Sequence, residues 1–208
     1  MGVPFSPAIA PISLCIWTIN IQSMTKSHTT ELQHRLHDGR PHILCAQETW
    51  LKDKSAPLLD NYEVVAKMDR TTGRKAGYGG VLIYRRNDFD FAYETLRAEH
   101  SELVFATLHT PIGPILLANM YRPPDAGDAT LAELEHLLTL HMQNHIGTIV
   151  VGDFNAHHHN WLKHSSTDTK PNPAGHRLYD ITTQNELKQM VNFPTHQKGN
   201  LLDLVFTD

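Results

Sequence analysis

The chain has 208 residues, which suffices for one domain with a sizeable core, because globular domains contain about 100 to 200 residues. Hydrophobic residues make up 40% of it and charged residues 19%, and it contains 12 Gly and 12 Pro. These proportions exclude an intrinsically disordered, collagen-like or linker-like chain. A net charge of −4 excludes binding of nucleic acid through overall basic charge, although a cation or a local basic patch can still meet a phosphate.

Cysteine usage and hydropathy indicate a protein of a reducing, intracellular compartment. Cys15 and Cys45 each lie in an apolar run, which predicts two buried free thiols rather than a disulfide framework. No run approaches the roughly 18 apolar residues of a membrane-spanning helix, and residues 1–11 lack the basic start of a signal peptide. We expect an irregular segment at 1–11, a folded domain at 12–208 and no membrane partner.

Short apolar runs bounded by turn residues predict eight β-strands. In chain order they cover residues 12–19, 42–46, 62–66, 79–84, 103–108, 114–121, 147–151 and 202–206. Helical periodicity predicts helices at 27–38, 129–145 and 174–186. Some strands are separated by helices, whereas the strands from 62 to 121 follow one another directly. The pattern therefore predicts a mixed α/β architecture rather than a purely parallel sheet.

The sequence VVGDFNAHHHNW, at residues 150–161, carries the clearest chemical signal. Asp153 and Asn155 follow an apolar strand and are two residues apart, so in an extended backbone both side chains point to one face. A carboxylate can take a proton from an attacking water, and an amide can donate to a phosphoryl oxygen. The pattern favours phosphodiester hydrolysis, although a plain turn after a buried strand explains the tetrapeptide alone equally well.

Two further polar residues follow predicted strands. Glu48 follows the strand in CAQETW, and a carboxylate there, opposite a second one, is what Mg²⁺ requires. Asn20 ends the strand in WTIN. Each of them alone is also typical of an ordinary surface residue at the end of a strand.

Together, five motifs occur in the order and at roughly the spacing of the endonuclease/exonuclease/phosphatase superfamily. They are WTIN (17–20), CAQETW (45–50), ANMYRPP (118–124), GDFNAHHHNW (152–161) and NLLDLVFTD (200–208). The chain resembles this superfamily from about residue 12 to its last residue. Its YRPP, GDFNAHH and NLLDLVFTD sequences, together with AGHRLYD at 174–180, look most like the apurinic/apyrimidinic-type endonuclease domain of jockey-like non-LTR retrotransposons.

The resemblance implies a fold and a reaction. The fold is a four-layer α/β sandwich, in which two mixed, mostly antiparallel sheets pack face to face with helices outside. The reaction is Mg²⁺-dependent cleavage of one DNA strand, with Mn²⁺ as an alternative cation, and it leaves a 3′-hydroxyl that primes reverse transcription. A reverse transcriptase domain in the full-length product and a nuclear location are implied as well.

The same resemblance implies roles for individual residues. Glu48 matches the metal-binding glutamate, and Asn20 matches the amide that supports the metal and the phosphate. Asp153 matches the aspartate that positions or deprotonates the attacking water. The other matches are the phosphate-contacting amide Asn155, the phenol of Tyr121 that reaches the scissile phosphate, and Asp203, which orients a catalytic histidine.

Basic residues near these motifs are candidates for contacts with the DNA backbone. Arg70, Arg74 and Lys75 lie in the Gly-rich segment 68–80, and Arg122 follows the YRPP tyrosine. A solvated hairpin turn with ordinary charges is the alternative interpretation of this segment. The three histidines at 157–159 do not predict a structural zinc site, because consecutive side chains point in different directions and no cysteine accompanies them.

The chain departs from the family at the last motif. The family continues into a Ser-Asp-His motif shortly after the strand that NLLDLVFTD forms, whereas this sequence stops at Asp208. We therefore expect the last core strand and the catalytic histidine to be missing, and the activity of this chain to be low. Two alternatives stay open: a fragment or decayed copy without catalytic activity, and a phosphatase or phosphodiesterase of the same superfamily that acts on a non-nucleic-acid phosphate ester.

Overall fold

The chain folds into two β-sheets, and the first contains the four strands nearest the amino terminus. A computed structural model describes residues 13–71, 76–161, 171–196 and 199–208. The first sheet has the strand order β1-β2-β4-β3, in which only β1 and β2 run parallel. Its strands are β1 (Ile16–Asn20), β2 (Ile43–Gln47), β3 (Tyr62–Met68) and β4 (Val81–Arg86).

The second sheet has six strands in the order β5-β6-β7-β8-β10-β9. Strands β7 and β8 are parallel, and the other neighbours are antiparallel. The strands are β5 (Tyr93–Arg97), β6 (Glu102–Thr110), β7 (Gly113–Tyr121), β8 (Gly147–Asp153), β9 (Lys188–Gln189) and β10 (Asp203–Thr207).

Three α-helices cover the outer faces within the described ranges: α1 (Lys26–Gly39), α2 (Ala129–His141) and α3 (Pro173–Gln184). Helix α1 begins where the Thr25 side chain accepts from the His28 amide, and α3 begins where Asn172 accepts from the Gly175 amide. None of these helices is long and apolar enough to cross a membrane.

The hydrophobic core has three parts, which define four layers. Residues such as Ile43, Ile83, Leu117 and Val151 fill the space between the sheets. Helix α1 packs on the outer face of the first sheet, and α2 and α3 pack on the outer face of the second. The predicted sandwich of two mixed, mostly antiparallel sheets with helices outside is confirmed.

A buried polar link joins the two sheets near the end that carries the site. Gln47 Nε2 donates to Asn119 Oδ1 at 2.6 Å, and Asn119 Nδ2 donates to the carbonyl oxygens of Ala46 and Leu82 at 3.2 and 3.1 Å. Both side chains are fully buried, so these bonds are formed away from competing water. The link fixes β2 relative to β7, and therefore Glu48 relative to Tyr121.

Candidate active site

Strand register aligns three of the predicted residues across the second sheet. Tyr121 lies opposite Asp153 in the β7–β8 pair, and Asp153 lies opposite Asp203 in the β8–β10 pair. Opposed residues of neighbouring strands lie about 5 Å apart, so a phenol and two carboxylates form a row at one end of the sheet.

The first sheet supplies the other two residues at the same end. Asn20 is the last residue of β1, and Glu48 directly follows β2. The Asn20 amide nitrogen donates to Glu48 Oε1 and to Asp153 Oδ2, both at 2.7 Å. One amide thus bridges two carboxylates from different sheets, although the residues are separated by 28 and 133 positions in the chain.

Local backbone conformation directs the Glu48 carboxylate toward this point. Glu48 has a left-handed backbone with φ of 52°, which turns the chain sharply after β2. Its second carboxylate oxygen accepts from Trp50 Nε1 at 3.2 Å, and its carbonyl accepts from the Ser23 amide at 2.7 Å. The sequence alone did not identify the role of Trp50 in holding this carboxylate.

Asp153 has the electrostatics of a base that works near neutral pH. Burial raises the pKa of Asp153 to about 7, and the negative charges of Asp203 and Glu48 add to the rise, whereas the hydrogen bonds from Asn20 and Asn155 oppose it. The Asn155 backbone amide donates to Asp153 Oδ1 at 3.1 Å. A carboxylate with such a pKa can accept a proton from water and release it again.

The remaining predicted catalytic residues surround Asp153. Tyr121 is buried, and burial raises the pKa of its phenol. Asn155 lies at the cleft, where its side-chain amide donates to the Arg122 carbonyl at 2.9 Å. Asp203 is partly buried, which raises the pKa of its carboxyl, and its Oδ1 has no hydrogen-bond partner among the described residues.

A cleft of about 780 Å³ lies beside Asp153, and Tyr121 is not among the described residues that line it. Asn20, Glu48 and Asp153 line it, together with Asn155 and Asp203. The segment 191–196 lines another part of the cleft and carries the exposed ring of Phe193.

The donors at the cleft suit a hard divalent cation. Glu48, Asp153 and Asp203 bring three carboxyl groups to one end of the sandwich. Burial raises the pKa of Asp153, and the negative charges of Asp203 and Glu48 add to the rise. A cation at Glu48 would relieve that repulsion. In the described parts of the chain, no three His, Cys, Asp or Glu side chains are grouped closely enough to hold a metal ion by themselves. A cation held here would keep several waters, as Mg²⁺ does.

The candidate DNA contacts are arranged differently from the catalytic residues. The guanidinium of Arg70 pairs with the carboxylate of Glu102, and Arg122 is buried with its guanidinium donating to the carbonyls of Pro123 and Ala126. Arg74 and Lys75 lie outside the described residues. DNA contact by these four residues stays a prediction.

Comparisons with known proteins agree with this fold. The profile of a family described as endonuclease-reverse transcriptase matches residues 115–208, somewhat less than half of the chain. No curated protein sequence matches significantly.

The solved structures that match cover almost the entire chain. The endonuclease domain of TRAS1, a telomere-specific non-LTR retrotransposon, is 18% identical with a TM-score of 0.70, over 93% of this chain and 83% of that one. An apurinic/apyrimidinic endonuclease from Archaeoglobus fulgidus is 19% identical with a TM-score of 0.64, over 94% and 86%. The 3′ phosphatase NExo from Neisseria, bound to a product DNA hairpin, is 15% identical with a TM-score of 0.68, over 94% and 87%.

The resemblance inferred from the five motifs is thereby confirmed. The chain has the fold of the endonuclease/exonuclease/phosphatase superfamily, and the family match over its carboxy-terminal part supports a hydrolase of the nuclease or phosphatase type. Proposals for the substrate, the metal dependence and the roles of single residues follow from the geometry of the candidate site.

Proposed function

We propose that this chain is a Mg²⁺-dependent DNA endonuclease domain of a non-LTR retrotransposon, which cleaves one strand and leaves a 3′-hydroxyl. The observation that carries the proposal is the Asn20 amide, which bridges Glu48 and Asp153 where the two sheets meet. The family match supports association with a reverse transcriptase. A nuclear site of action is part of the same proposal.

In the proposed mechanism Glu48 holds the cation, with Mn²⁺ as an alternative to Mg²⁺, and Asn20 orients the Glu48 carboxylate. The bound cation supplies Lewis-acid stabilisation of the charge that develops on the phosphate. Asp153 takes a proton from the attacking water, since its carboxyl titrates near neutral pH. Asn155 lies at the cleft mouth as a candidate donor to a phosphoryl oxygen.

Tyr121 and Asp203 complete the proposed site on either side of Asp153. The phenol of Tyr121 is protonated at neutral pH, as an ordinary phenol is, and burial raises its pKa further, so we assign it the role of a donor toward the scissile phosphate. Asp203 carries an oxygen without a hydrogen-bond partner among the described residues, which fits a proposed role in orienting an imidazole.

The test is the conversion of supercoiled plasmid to its nicked form, with Mg²⁺ or Mn²⁺. Glu48→Ala and Asp153→Asn are compared with the chain itself, and Glu94→Gln, which alters an exposed carboxylate of β5, is the matched control. Each protein is first shown to unfold cooperatively.

We expect nicking that requires the cation, is abolished by EDTA, is lost in both site variants and is retained by Glu94→Gln. The nick should serve as a primer for a DNA polymerase, which demonstrates the 3′-hydroxyl. Nicking that persists in EDTA or in Glu48→Ala would contradict the proposal. Hydrolysis of a soluble phosphate ester without nicking would favour a phosphatase of the same superfamily.

A further inference from the structure

An internal ion pair lies directly beside the row of site residues. Arg70 Nε donates to Glu102 Oε1 at 2.6 Å, and the terminal Nη2 of Arg70 donates to the same oxygen. The side chains of Arg70 and Glu102 are 16% and 10% exposed. Glu102 lies opposite Tyr121 in the β6–β7 register, and the Arg70 guanidinium lies over the Tyr121 ring, 5.7 Å from its centroid.

The second oxygen of Glu102 connects the pair to a glycine turn. Glu102 Oε2 accepts from the Gly80 backbone amide. A Cβ at Gly79 would collide with this same oxygen, and the backbone φ angles of Gly79 and Gly80 are +92° and +90°. Only glycine allows the backbone to approach the carboxylate so closely in this conformation.

The glycine turn is in turn bonded to the segment that follows the metal-site glutamate. The Thr49 amide donates to the Gly80 carbonyl at 3.3 Å, and the Trp50 amide donates to the Gly79 carbonyl at 2.8 Å. Trp50 then donates from its ring to the Glu48 carboxylate. A continuous chain of contacts therefore runs from Tyr121 through the ion pair and the glycine turn to Glu48.

We propose that Arg70 and Glu102 are positioning residues for the proposed hydrolysis, which fix the Tyr121 phenol and the Glu48 segment relative to each other. The inference rests on the proposed function, but it assigns Arg70 a place inside the catalytic architecture rather than on the DNA-binding surface. It accounts for a largely buried charge pair that contacts Tyr121.

Stability alone does not explain why the structure contains the Arg70–Glu102 ion pair. Removing two charges from water costs several kcal/mol, and apolar replacements of buried ion pairs are often about as stable. Geometry is a better reason, because a misplacement of about 1 Å at a catalytic group can reduce the rate about 100-fold. The guanidinium also opposes the effect of burial on the Tyr121 phenol, since its positive charge lowers the pKa that burial raises.

The inference is tested with Arg70→Met and Arg70→Lys in the same 208-residue chain. Arg177→Met is the matched control, because Arg177 pairs with Glu135 at 2.5 Å between α3 and α2, away from the cleft. Three quantities are measured: kcat and KM for plasmid nicking, the salt dependence of DNA binding in EDTA, and amide hydrogen exchange of residues 45–50 and 79–82.

For Arg70→Met we expect kcat to fall about 10- to 100-fold while KM and the salt slope of binding stay within twofold. Arg70→Lys should recover part of kcat, because it keeps the positive charge but loses the paired donors. In a Tyr121→Phe background the loss should be smaller, since the two changes disrupt one unit. Exchange at residues 45–50 and 79–82 should accelerate in Arg70→Met and not in Arg177→Met.

An unchanged kcat, or a raised KM with a flatter salt slope, would overturn the inference, and the second result would make Arg70 a DNA-backbone contact. Unchanged exchange in Arg70→Met would overturn it independently of activity. If the unaltered chain binds no cation and does not nick DNA, the proposed function fails, whereas the exchange measurement still decides whether the ion pair holds the Glu48 segment.

Discussion

At the scale of single residues, the side-chain amide of Asn20 allows the carboxylates of Glu48 and Asp153 to lie close together. Without the Asn20 donor, Glu48 and Asp153 would face each other across the junction of the sheets with nothing between them to offset their repulsion. A neutral amide suits this place because it donates to both carboxylates and does not cancel the charge that a cation needs.

Replacing Asn20 with Ala should therefore disable the site more than it destabilises the fold. We expect the nicking rate and the affinity for Mn²⁺ to fall about 10- to 100-fold, since the loss of a group that orients a metal-binding carboxylate costs about that much. Nicking rate and Mn²⁺ binding are measured beside Asn144→Ala, an exposed change in the turn after α2. Equal activity of the two variants would show that the bridge is dispensable.

At the scale of elements, the sheets are aligned by a polar contact rather than by apolar packing alone. Gln47 and Asn119 are 72 positions apart in the chain, and neither has an alternative partner in water because both are fully buried. A shift of β2 relative to β7 would break the Gln47–Asn119 hydrogen bond before it disturbed much of the apolar core. The pair therefore selects one relative position of the strands.

Asn119→Ala should lower the free energy of unfolding by about 2 to 4 kcal/mol. The Gln47 side-chain amide loses an acceptor, and the carbonyl oxygens of Ala46 and Leu82 lose a donor, in the buried interior. The double variant Gln47→Met with Asn119→Leu should lose less than the sum of the single losses, because neither amide then faces a missing amide partner. The Thr18 hydroxyl, which also bonds Gln47, loses that partner whenever Gln47 is replaced. Urea unfolding measures both quantities. Additive losses would show that the two side chains act separately.

The segment after β8 is held by stacked rings. The buried His158 ring stacks on Tyr179 of α3 at 4.4 Å and on His159 at 4.4 Å, and contacts the His176 ring at 5.1 Å. Burial lowers the pKa of His158, the neighbouring charges of His159 and His176 lower it further, and Asp180 opposes them. His158 therefore packs as a neutral ring.

This packing predicts a loss of stability in mild acid. As the pH falls through the ordinary histidine range, the unfolded chain takes up the proton before folded His158 does, so the folded state loses stability. His158→Phe keeps a ring on Tyr179 without a titratable group, and its unfolding free energy should fall less between pH 7.5 and pH 5 than that of the unaltered chain. His136→Phe, an exposed change on α2, is the control and should not reduce this fall. Parallel pH curves for His158→Phe and the unaltered chain would contradict the prediction.

At the scale of the whole molecule, the sequence pattern predicted the buried strands, and the resemblance to the superfamily predicted how they are layered. All eight predicted strands are present because buried strands are apolar runs, whereas β5, with the sequence YETLR, is an exposed edge strand and β9 has only two residues. Asn20, Glu48 and Asp153 were candidates because each follows or ends an apolar strand, and their predicted roles came from the resemblance carried by the five motifs. The pairing of Arg70 with Glu102, 32 positions away, leaves no local pattern.

The site also joins the two halves of the sandwich, since Glu48 comes from the first sheet and Asp153 from the second. A cation bound at their junction stabilises only the folded chain, so Mg²⁺ at about 100 times its Kd should raise the free energy of unfolding by about 2.7 kcal/mol.

In EDTA, Asp153→Asn should be more stable than the unaltered chain at pH 8, because it removes a buried carboxylate whose pKa of about 7 shows that its charge is disfavoured in the fold.

Thermal unfolding with and without Mg²⁺ measures both effects. Glu48→Gln should abolish the Mg²⁺-dependent rise in Tm, and Glu94→Gln should keep it, because Glu94 lies exposed on β5 rather than at the cleft. A rise that survives in Glu48→Gln would place the cation elsewhere on the molecule. If Asp153→Asn proved less stable than the unaltered chain in EDTA at pH 8, the carboxylate would contribute more through its hydrogen bonds with Asn20 and Asn155 than it costs through repulsion.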